Sequence, residues 1–152
     1  MLFKQVARGD ERAFITVKNC EASSITTGMG AALCLGNTAS FDGTSVVKPA
    51  SGTAANLPGF LGVATQDIAP NSYGLVQIFG NVLSVQLSNV VTSITVTAGD
   101  PLIPGALAGT FASSAPTYAN SGFGWVIVSN APTATLSQAA PLYCSGFVRG
   151  IH

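Results

Sequence analysis

Residues 75–87 form the stretch that most constrains the fold of this chain, because apolar side chains recur at alternate positions on either side of Gly80 and Asn81. Successive side chains of a β-strand point to opposite faces, so the pattern predicts β-structure. A Gly-Asn pair between two such runs is typical of a two-residue turn, which predicts a β-hairpin. A single long strand with a bulge at Gly80 would keep both faces and lose only the turn. The wholly apolar face contains Val76, Ile78, Leu83 and Val85.

The second face of residues 75–87 mixes polar and apolar side chains, a composition that suits contact with another protein better than contact with water. It contains Leu75, Gln77, Phe79, Val82, Ser84 and Gln86. We expect four of these residues to contact other subunits: Leu75, Gln77, Phe79 and Val82. Trp125 is a fifth candidate, since tryptophan is enriched at the centres of interfaces, and packing in the core is the alternative for it.

Short apolar runs separated by turn residues cover the rest of the chain, with about eight strands and a turn signal roughly every dozen residues. No segment has the periodicity of an amphipathic helix. The sequence therefore predicts an all-β fold, either an antiparallel β-barrel or a β-sandwich, with residues 13–152 as one domain. Residues 71–78 and 120–128 echo each other, each with a polar turn, an aromatic-glycine pair and a strand. This echo indicates similar turns at one end of the fold.

Charged residues make up 8% of the chain, against about 25% in typical soluble proteins. Between Pro49 and Val148 the only charged residues are Asp67 and Asp100. Proteins with a net charge near zero tend to associate, and the cores of interfaces are depleted of charge. We therefore expect much of this surface to be covered by copies of the chain or by another protein.

Residues 1–12 concentrate several charges and are predicted to form an extended N-terminal arm. A frayed terminus is the ordinary alternative. Disordered tails seldom carry adjacent large apolar residues such as Leu2 and Phe3, so we expect the arm to reach onto a neighbouring protein. The contacts expected from it are Leu2, Phe3, Lys4, Val6, Arg8 and Arg12.

Side chains suited to catalysis or metal binding are sparse. The only histidine is the last residue, His152, while Asp67 and Asp100 stand alone in turn sequences where a carboxylate accepts backbone N–H groups. The cysteines are odd in number and lack metal-ligand spacing, and we expect small buried thiols at Cys20, Cys34 and Cys144. The sequence predicts a protein that is not an enzyme and holds no cofactor or metal.

Polar or turn residues interrupt every apolar run well before the roughly 20 residues that a membrane-spanning helix requires. Charges near the start occupy the place of the apolar stretch of a signal peptide, so synthesis in a cytoplasm without a cleaved signal is expected. The six basic residues are scattered rather than gathered into a stripe. Neither a membrane nor a nucleic acid is therefore expected as a partner.

One further pattern extends over residues 57–109. It consists of Leu61-Gly62-Val63-Ala64, Asp67-Ile68-Ala69, Tyr73-Gly74 and Val76-Gln77-Ile78-Phe79-Gly80, followed by a turn with Gly99, Asp100 and Leu102. This pattern resembles the small capsid decoration (cement) proteins of tailed bacteriophages. The resemblance implies a structural protein of the virion, on the outer capsid surface. It also implies a homotrimer that binds over junctions between major capsid protein subunits and stabilises them.

A different class of function fits the same residues. A β-sandwich module of a phage tail or fibre, or of a cell surface, would bind carbohydrate rather than a capsid. Exposed aromatic side chains on one edge, such as Tyr73, Tyr118 and Trp125, would favour that alternative. Capsid decoration remains the leading hypothesis, and glycan binding without affinity for shells would decide against it.

Overall fold

The computed structural model describes residues 11–34, 44–50, 59–88, 96–113, 125–131 and 142–149. Within these ranges the chain forms nine β-strands and no helix, which confirms the all-β class. The strands are β1 (Ala13–Asn19), β2 (Gly30–Leu33), β3 (Ser45–Val47), β4 (Phe60–Ala64), β5 (Tyr73–Leu87), β6 (Pro101–Pro104), β7 (Phe111–Ser113), β8 (Val126–Asn130) and β9 (Leu142–Arg149).

β5 is one continuous strand of 15 residues, so the predicted hairpin at Gly80 and Asn81 is wrong and the long-strand alternative holds. The two halves of β5 do not face each other because each has other partners: the N-terminal half pairs with β1 and β4, and the C-terminal half with β9. Gly80 has a φ of 98°, which glycine adopts readily. Register irregularities lie on both sides of it, next to Phe79 and between Val82 and Val85.

The strands close into two rings that share β5. The hydrogen-bonded order β1-β3-β2-β4-β5 returns to β1, and the order β5-β7-β6-β8-β9 returns to β5. We call these rings the first and second barrel. The prediction of a barrel is confirmed, and most pairings are antiparallel as expected. The pairings β1–β3 and β5–β7 run parallel, however, so both barrels are mixed.

The two barrels repeat the same topology strand for strand. In each ring the first strand runs parallel to the third and antiparallel to the fifth, while the second is antiparallel to the third and fourth. Individual hydrogen bonds repeat as well: the N–H of Gly28 donates to the carbonyl of Ala64 at 2.8 Å, and that of Gly99 to Val128 at 2.8 Å. The N–H of Cys34 donates to the carbonyl of Ser45 in the first barrel, as that of Gly105 donates to Thr110 in the second. In the same way, the N–H of Cys20 donates to Val46 and that of Ser88 to Phe111. Residues that hold the same pairing position in the two rings are called equivalent below.

Each barrel has its own hydrophobic core. The first contains Val17, Ile25, Ala31, Val46, Ala64, Ile68 and Val76. The second contains Phe60, Val63, Val82, Val85, Leu87, Val96, Leu102, Phe111, Val126, Val128, Cys144 and Val148. Phe60 and Val63 belong to β4 of the first barrel but pack into the second core. The part of the first barrel's outer face that contains Phe60 and Val63 is therefore inside the molecule.

Candidate interaction surface

A row of outward-facing residues crosses four strands of each barrel at equivalent positions. In the first barrel the row is Gly30, Val63, Gln77 and Phe14, named here the first wall. In the second barrel it is Pro101, Ile127, Phe147 and Asn81, named the second wall. These residues point away from their own barrel because their neighbours along each strand, such as Val76 and Val126, lie in its core.

The second barrel covers the centre of the first wall. Val63 is 0% exposed and Gln77 is 2% exposed. The N–H of Gly30 donates to the carbonyl of Gly109 at 2.7 Å, and the N–H of Gln86 donates to the carbonyl of Gly28 at 2.9 Å. Backbone hydrogen bonds between the barrels and the apolar burial of Val63 therefore hold them together.

The second wall is open at the same positions. Ile127 is 41% exposed and Phe147 is 36% exposed. Phe79, at 40% exposed, meets the ring of Phe147 edge to face with ring centroids 5.1 Å apart, which extends the apolar surface. The backbone shows the same contrast: a Cβ at Gly28 would lie 3.1 Å from the backbone nitrogen of Gln86, whereas nothing lies within 4 Å of one at Gly99. The second barrel thus presents an uncovered apolar counterpart of a surface that is covered in the first.

The predicted subunit-contact residues on β5 differ in exposure. Leu75 and Phe79 are exposed, but Gln77 and Val82 lie inside the molecule at 2% and 4% exposure. The side-chain amide of Gln77 donates to the carbonyls of Phe79 at 3.1 Å and Asn81 at 3.0 Å, so it braces the backbone on either side of Gly80. Gln77 and Val82 are thus covered within the chain itself, and subunit contact stays a prediction for the set.

Trp125 follows the core-packing alternative. It is partly buried against the core of the second barrel, and its ring stacks on Phe60 with centroids 4.2 Å apart and an angle of 11° between the planes. Phe60 in turn meets Phe111 edge to face at 6.1 Å. These three rings connect β4 of the first barrel to the interior of the second.

The predicted arm residues Leu2, Phe3, Lys4, Val6 and Arg8 lie outside the described residues. Arg12 is described, and it borders a cleft of about 310 Å³ together with Phe14, Gln77 and Leu83. Phe14 and Leu83 are 47% and 69% exposed. The segment that precedes β1 therefore lies beside a cleft lined by residues of β1, β4 and β5.

The aspartates among the described residues, Asp67 and Asp100, support turns. The carboxylate of Asp67 accepts the backbone N–H of Thr27 at 2.7 Å and its hydroxyl at 3.0 Å. The carboxylate of Asp100 accepts the backbone N–H of Thr97 at 2.8 Å. The expectation of turn residues that accept backbone N–H groups is confirmed for both, although Asp67 joins two separate turns. No group of three or more metal-binding side chains is found in the described part of the chain.

The cysteines differ in their surroundings, so the expectation of three buried thiols is wrong in part. Cys20 is exposed, Cys34 is half-buried and Cys144 is buried. Burial raises the pKa of the Cys144 thiol from the ordinary value of 9.0 to about 11. Among the described residues no helix is long and apolar enough to cross a membrane.

Comparison with known proteins gives a structural match. No protein-family model matches the sequence, and no curated protein matches it. The crystal structure of the head fiber gp8.5 N base in bacteriophage phi29 is similar to this structure, with a TM-score of 0.51 and 16% sequence identity. The match covers 91% of this chain and 94% of the phage protein. At this identity the likeness shows a common fold, and it includes nearly all of both chains rather than one barrel.

Sequence reasoning missed the second wall. The alternation in β9 does place Tyr143 and Phe147 opposite Cys144, and both aromatic side chains are exposed while the thiol is buried. The sequence contains no signal for the pairing of Phe147 with Ile127, because that contact depends on which strand lies beside β9. Only the topology brings the two side chains together.

Proposed function

We propose that this chain is a structural protein of a bacteriophage virion, in which the two-barrel unit is attached to the outer surface of the head. The observation that carries the proposal is the likeness to the phi29 head fiber base over nearly the whole of both chains. The sequence resemblance to capsid decoration proteins within residues 57–109 supports the same assignment independently. Neither argument invokes chemistry, and the described residues contain no clustered metal-binding side chains.

Two finer versions of this function are supported about equally. In the first, the chain decorates the capsid: a homotrimer binds over junctions between major capsid protein subunits and stabilises them with its N-terminal arm. In the second, the unit is the base of a head fibre and anchors a projecting part. Both require attachment to a lattice by a surface with few charges, where repetition multiplies modest contacts into firm retention.

The mechanism in either version is mechanical. Apolar side chains such as Phe14 and Leu83, which lie beside the segment before β1, would become buried against the capsid. Each Å² of apolar surface removed from water contributes about 25 cal/mol to the free energy of binding. A standard interface buries about 1,600 Å² in total. The arm and the residues that line the cleft would both form part of that area. No turnover of a substrate is part of the proposal.

Purified phage particles test the assignment directly. Mass spectrometry of the particles should detect the chain in many copies, and cryo-electron microscopy should show two-barrel density outside the head. Knobs at capsid junctions would identify a decoration protein, and a stalk above each unit would identify a fibre base. Absence of the chain from washed particles, combined with binding to glycans in a screen, would replace the proposal by the carbohydrate-binding alternative.

Truncation tests the role of the arm. Removing residues 1–12 should weaken attachment to heads that lack the protein, while circular dichroism of the isolated domain stays unchanged, because β1 begins at Ala13. The matched control keeps the arm's length and charge and replaces Leu2 and Phe3 by serine. Equal loss in both variants would assign the attachment to apolar contacts, and full occupancy after truncation would exclude the arm.

A further inference from the structure

We propose that residues 6–10 of this chain, which precede the described residues, pair with an uncovered edge of β5 and so extend β1 at its N-terminal end. The edge consists of residues 80–86 of β5 and is named here the open edge. This inference goes beyond the proposed function, because it concerns the isolated chain before any attachment to a head.

The pairings of β5 locate the open edge, because a residue that pairs with two strands has one of them on each of its edges. Gln77 pairs with β1 and with β4, so β1 and β4 lie on opposite edges of β5. Phe79 pairs with β1 and with β9, so β9 continues the edge of β4. Leu87 pairs with β9 and with β7, so β7 follows β1 on the other edge. Among the described strands, none pairs with residues 80–86 on that edge.

β1 leads directly to the open edge. It runs antiparallel to β5 along the same edge, and its first residue, Ala13, pairs with Phe79. Before β1 the chain stays beside β5, since a Cβ at Gly80 would collide with the carbonyl oxygen of Glu11. The described part of the chain therefore begins at one end of the open edge.

The open edge matches residues 6–10 in length. At its far end, the N–H of Gln86 donates to a backbone carbonyl of the first barrel at 2.9 Å, so the open edge ends there. At its near end Glu11 lies beside Gly80. An antiparallel ladder that continues from this contact places residues 6–10 beside residues 81–85.

A cleft runs beside the open edge and has room for a chain. It measures about 310 Å³ and is lined by Val82, Leu83 and Ser84 of the open edge and by Phe14 of β1. Leu83 and Phe14 are both exposed, so a chain in the cleft removes apolar surface from water. An uncovered strand edge is a ready site for pairing with a further chain segment.

The alternation of side chains in the segment agrees with this register. Ala7 and Gly9 share one face of an extended strand, and Arg8 lies on the other. Gly9 is then opposite Val82, which is buried, and Arg8 is opposite Leu83, which is 69% exposed. The small residues therefore face the interior and the charged residue faces water.

Covalent connection to the end of the edge favours this segment over a separate chain. Pairing within one chain avoids most of the translational and rotational entropy that a separate chain loses on binding. The arm then leaves the fold beside Gln86, and only residues 1–5 project from it. An extended segment of this length spans about 17 Å, so Leu2 and Phe3 remain within reach of a neighbouring protein.

Disulfide formation tests the pairing. In a chain that carries Cys20→Ser and Cys34→Ser, the pair Arg8→Cys and Leu83→Cys should form a disulfide within one monomer, because opposite residues of paired strands lie close enough for it. The pair Arg8→Cys and Tyr73→Cys is the matched control. Tyr73 is exposed at the other end of β5, so this pair should stay reduced. Non-reducing electrophoresis and peptide mapping identify the products.

Hydrogen exchange measured by NMR tests the pairing without added thiols. Alternate amides of residues 6–10 should exchange about tenfold or more slowly in the chain than in a free peptide of its first 12 residues, at any protein concentration. Arg8→Pro combined with Gly9→Pro should abolish this protection, because proline has no N–H to donate. Leu2→Pro combined with Phe3→Pro lies outside the paired segment and should leave the protection unchanged. Exchange resolves single residues, whereas circular dichroism is too coarse to detect so short a strand segment.

Three results would overturn the proposal. They are exchange of residues 6–10 at the rate of the free peptide, protection that survives the double proline variant at positions 8 and 9, and a disulfide that links two copies rather than one. The last result would assign the open edge to the arm of a second copy. All of these measurements use the isolated chain, so the assignment to a phage virion is decided separately, by the experiments on particles.

Discussion

The first and second barrels share one topology and fill it differently. Where the first has Val46, the second has Phe111, whose ring reaches across to Phe60. Where the first has Asn19, the second has Leu87. The buried amide of Asn19 donates to the carbonyls of Ser23 and Ile68, each at 2.9 Å, so a hydrogen-bonded loop closes the end of that barrel.

This difference teaches that the pairings, rather than a particular core, define the barrel. The first barrel combines small aliphatic residues with polar ties, including the ion pair of Lys48 with Glu21 at 3.5 Å. The second replaces these ties by aromatic volume. Core volume can change between repeats when the surrounding side chains change with it. Substitutions at equivalent positions should therefore have unequal effects.

The largest inequality is expected at the core positions Val46 and Phe111. Phe111→Ala should lower the free energy of unfolding by about 4 kcal/mol, because it leaves a cavity below Phe60 and beside Gly30. Val46→Ala removes less volume and should cost about 2 kcal/mol. Urea unfolding measures both. Equal losses would mean that the aromatic side chain adds nothing specific to the second barrel.

A smaller inequality is expected between two glycines with positive φ. Gly80 has a φ of 98° and Gly99 of 94°, so alanine is strained at both. A Cβ at Gly80 would also collide with the carbonyl oxygen of Glu11, whereas one at Gly99 meets nothing. Gly80→Ala should cost about 3 kcal/mol and Gly99→Ala about 1 kcal/mol in urea unfolding. Similar values would indicate that the chain before β1 yields without cost.

The smallest effect concerns the thiol at Cys144, which takes the place of Gly74 in the first barrel. Its raised pKa means that the folded state holds the proton more tightly than the unfolded state. This contribution to stability is fully present below pH 9 and is lost as the pH rises from 9.0 towards about 11. A Cys144→Ala variant should lack this loss in urea unfolding measured at several pH values.

Alkylation by iodoacetamide gives a second readout for the same group. Exposed Cys20 should react in the native protein at pH 8, while Cys144 should react about a hundredfold more slowly, since the thiolate is the nucleophile. Mass spectrometry distinguishes the two sites. Native labelling of both at one rate would contradict the burial of Cys144.

Much of the secondary structure is predictable from the sequence. Short apolar runs between turn signals predict an all-β barrel of about eight strands, and the described residues form nine strands that close into rings. The hairpin prediction failed because the pairing of β5 with β1 and β9 around Gly80 overrides the local turn signal of the Gly-Asn pair. Local patterns report what a segment favours, while the pairing partners decide what it adopts.

The repeat could not be found from the sequence, because equivalent positions conserve shape and pairing rather than residue type. Val63 matches Ile127 and Gln77 matches Phe147. The sequence echo matched residues 71–78 with residues 120–128, which relates β5 to β8, whereas the topology relates β4 to β8 and β5 to β9. The second wall depends on this correspondence, so it emerges only from the structure.

Sharing β5 between the rings has a consequence for dividing the molecule. Cutting the chain within β5 would remove a strand from one barrel. It would leave β4 or β9 with an unpaired edge, which is a known route to aggregation. We therefore expect the two barrels to unfold in a single thermal transition, and neither barrel to fold when it is expressed alone. The repeat is thus indivisible, and one 15-residue strand makes it so.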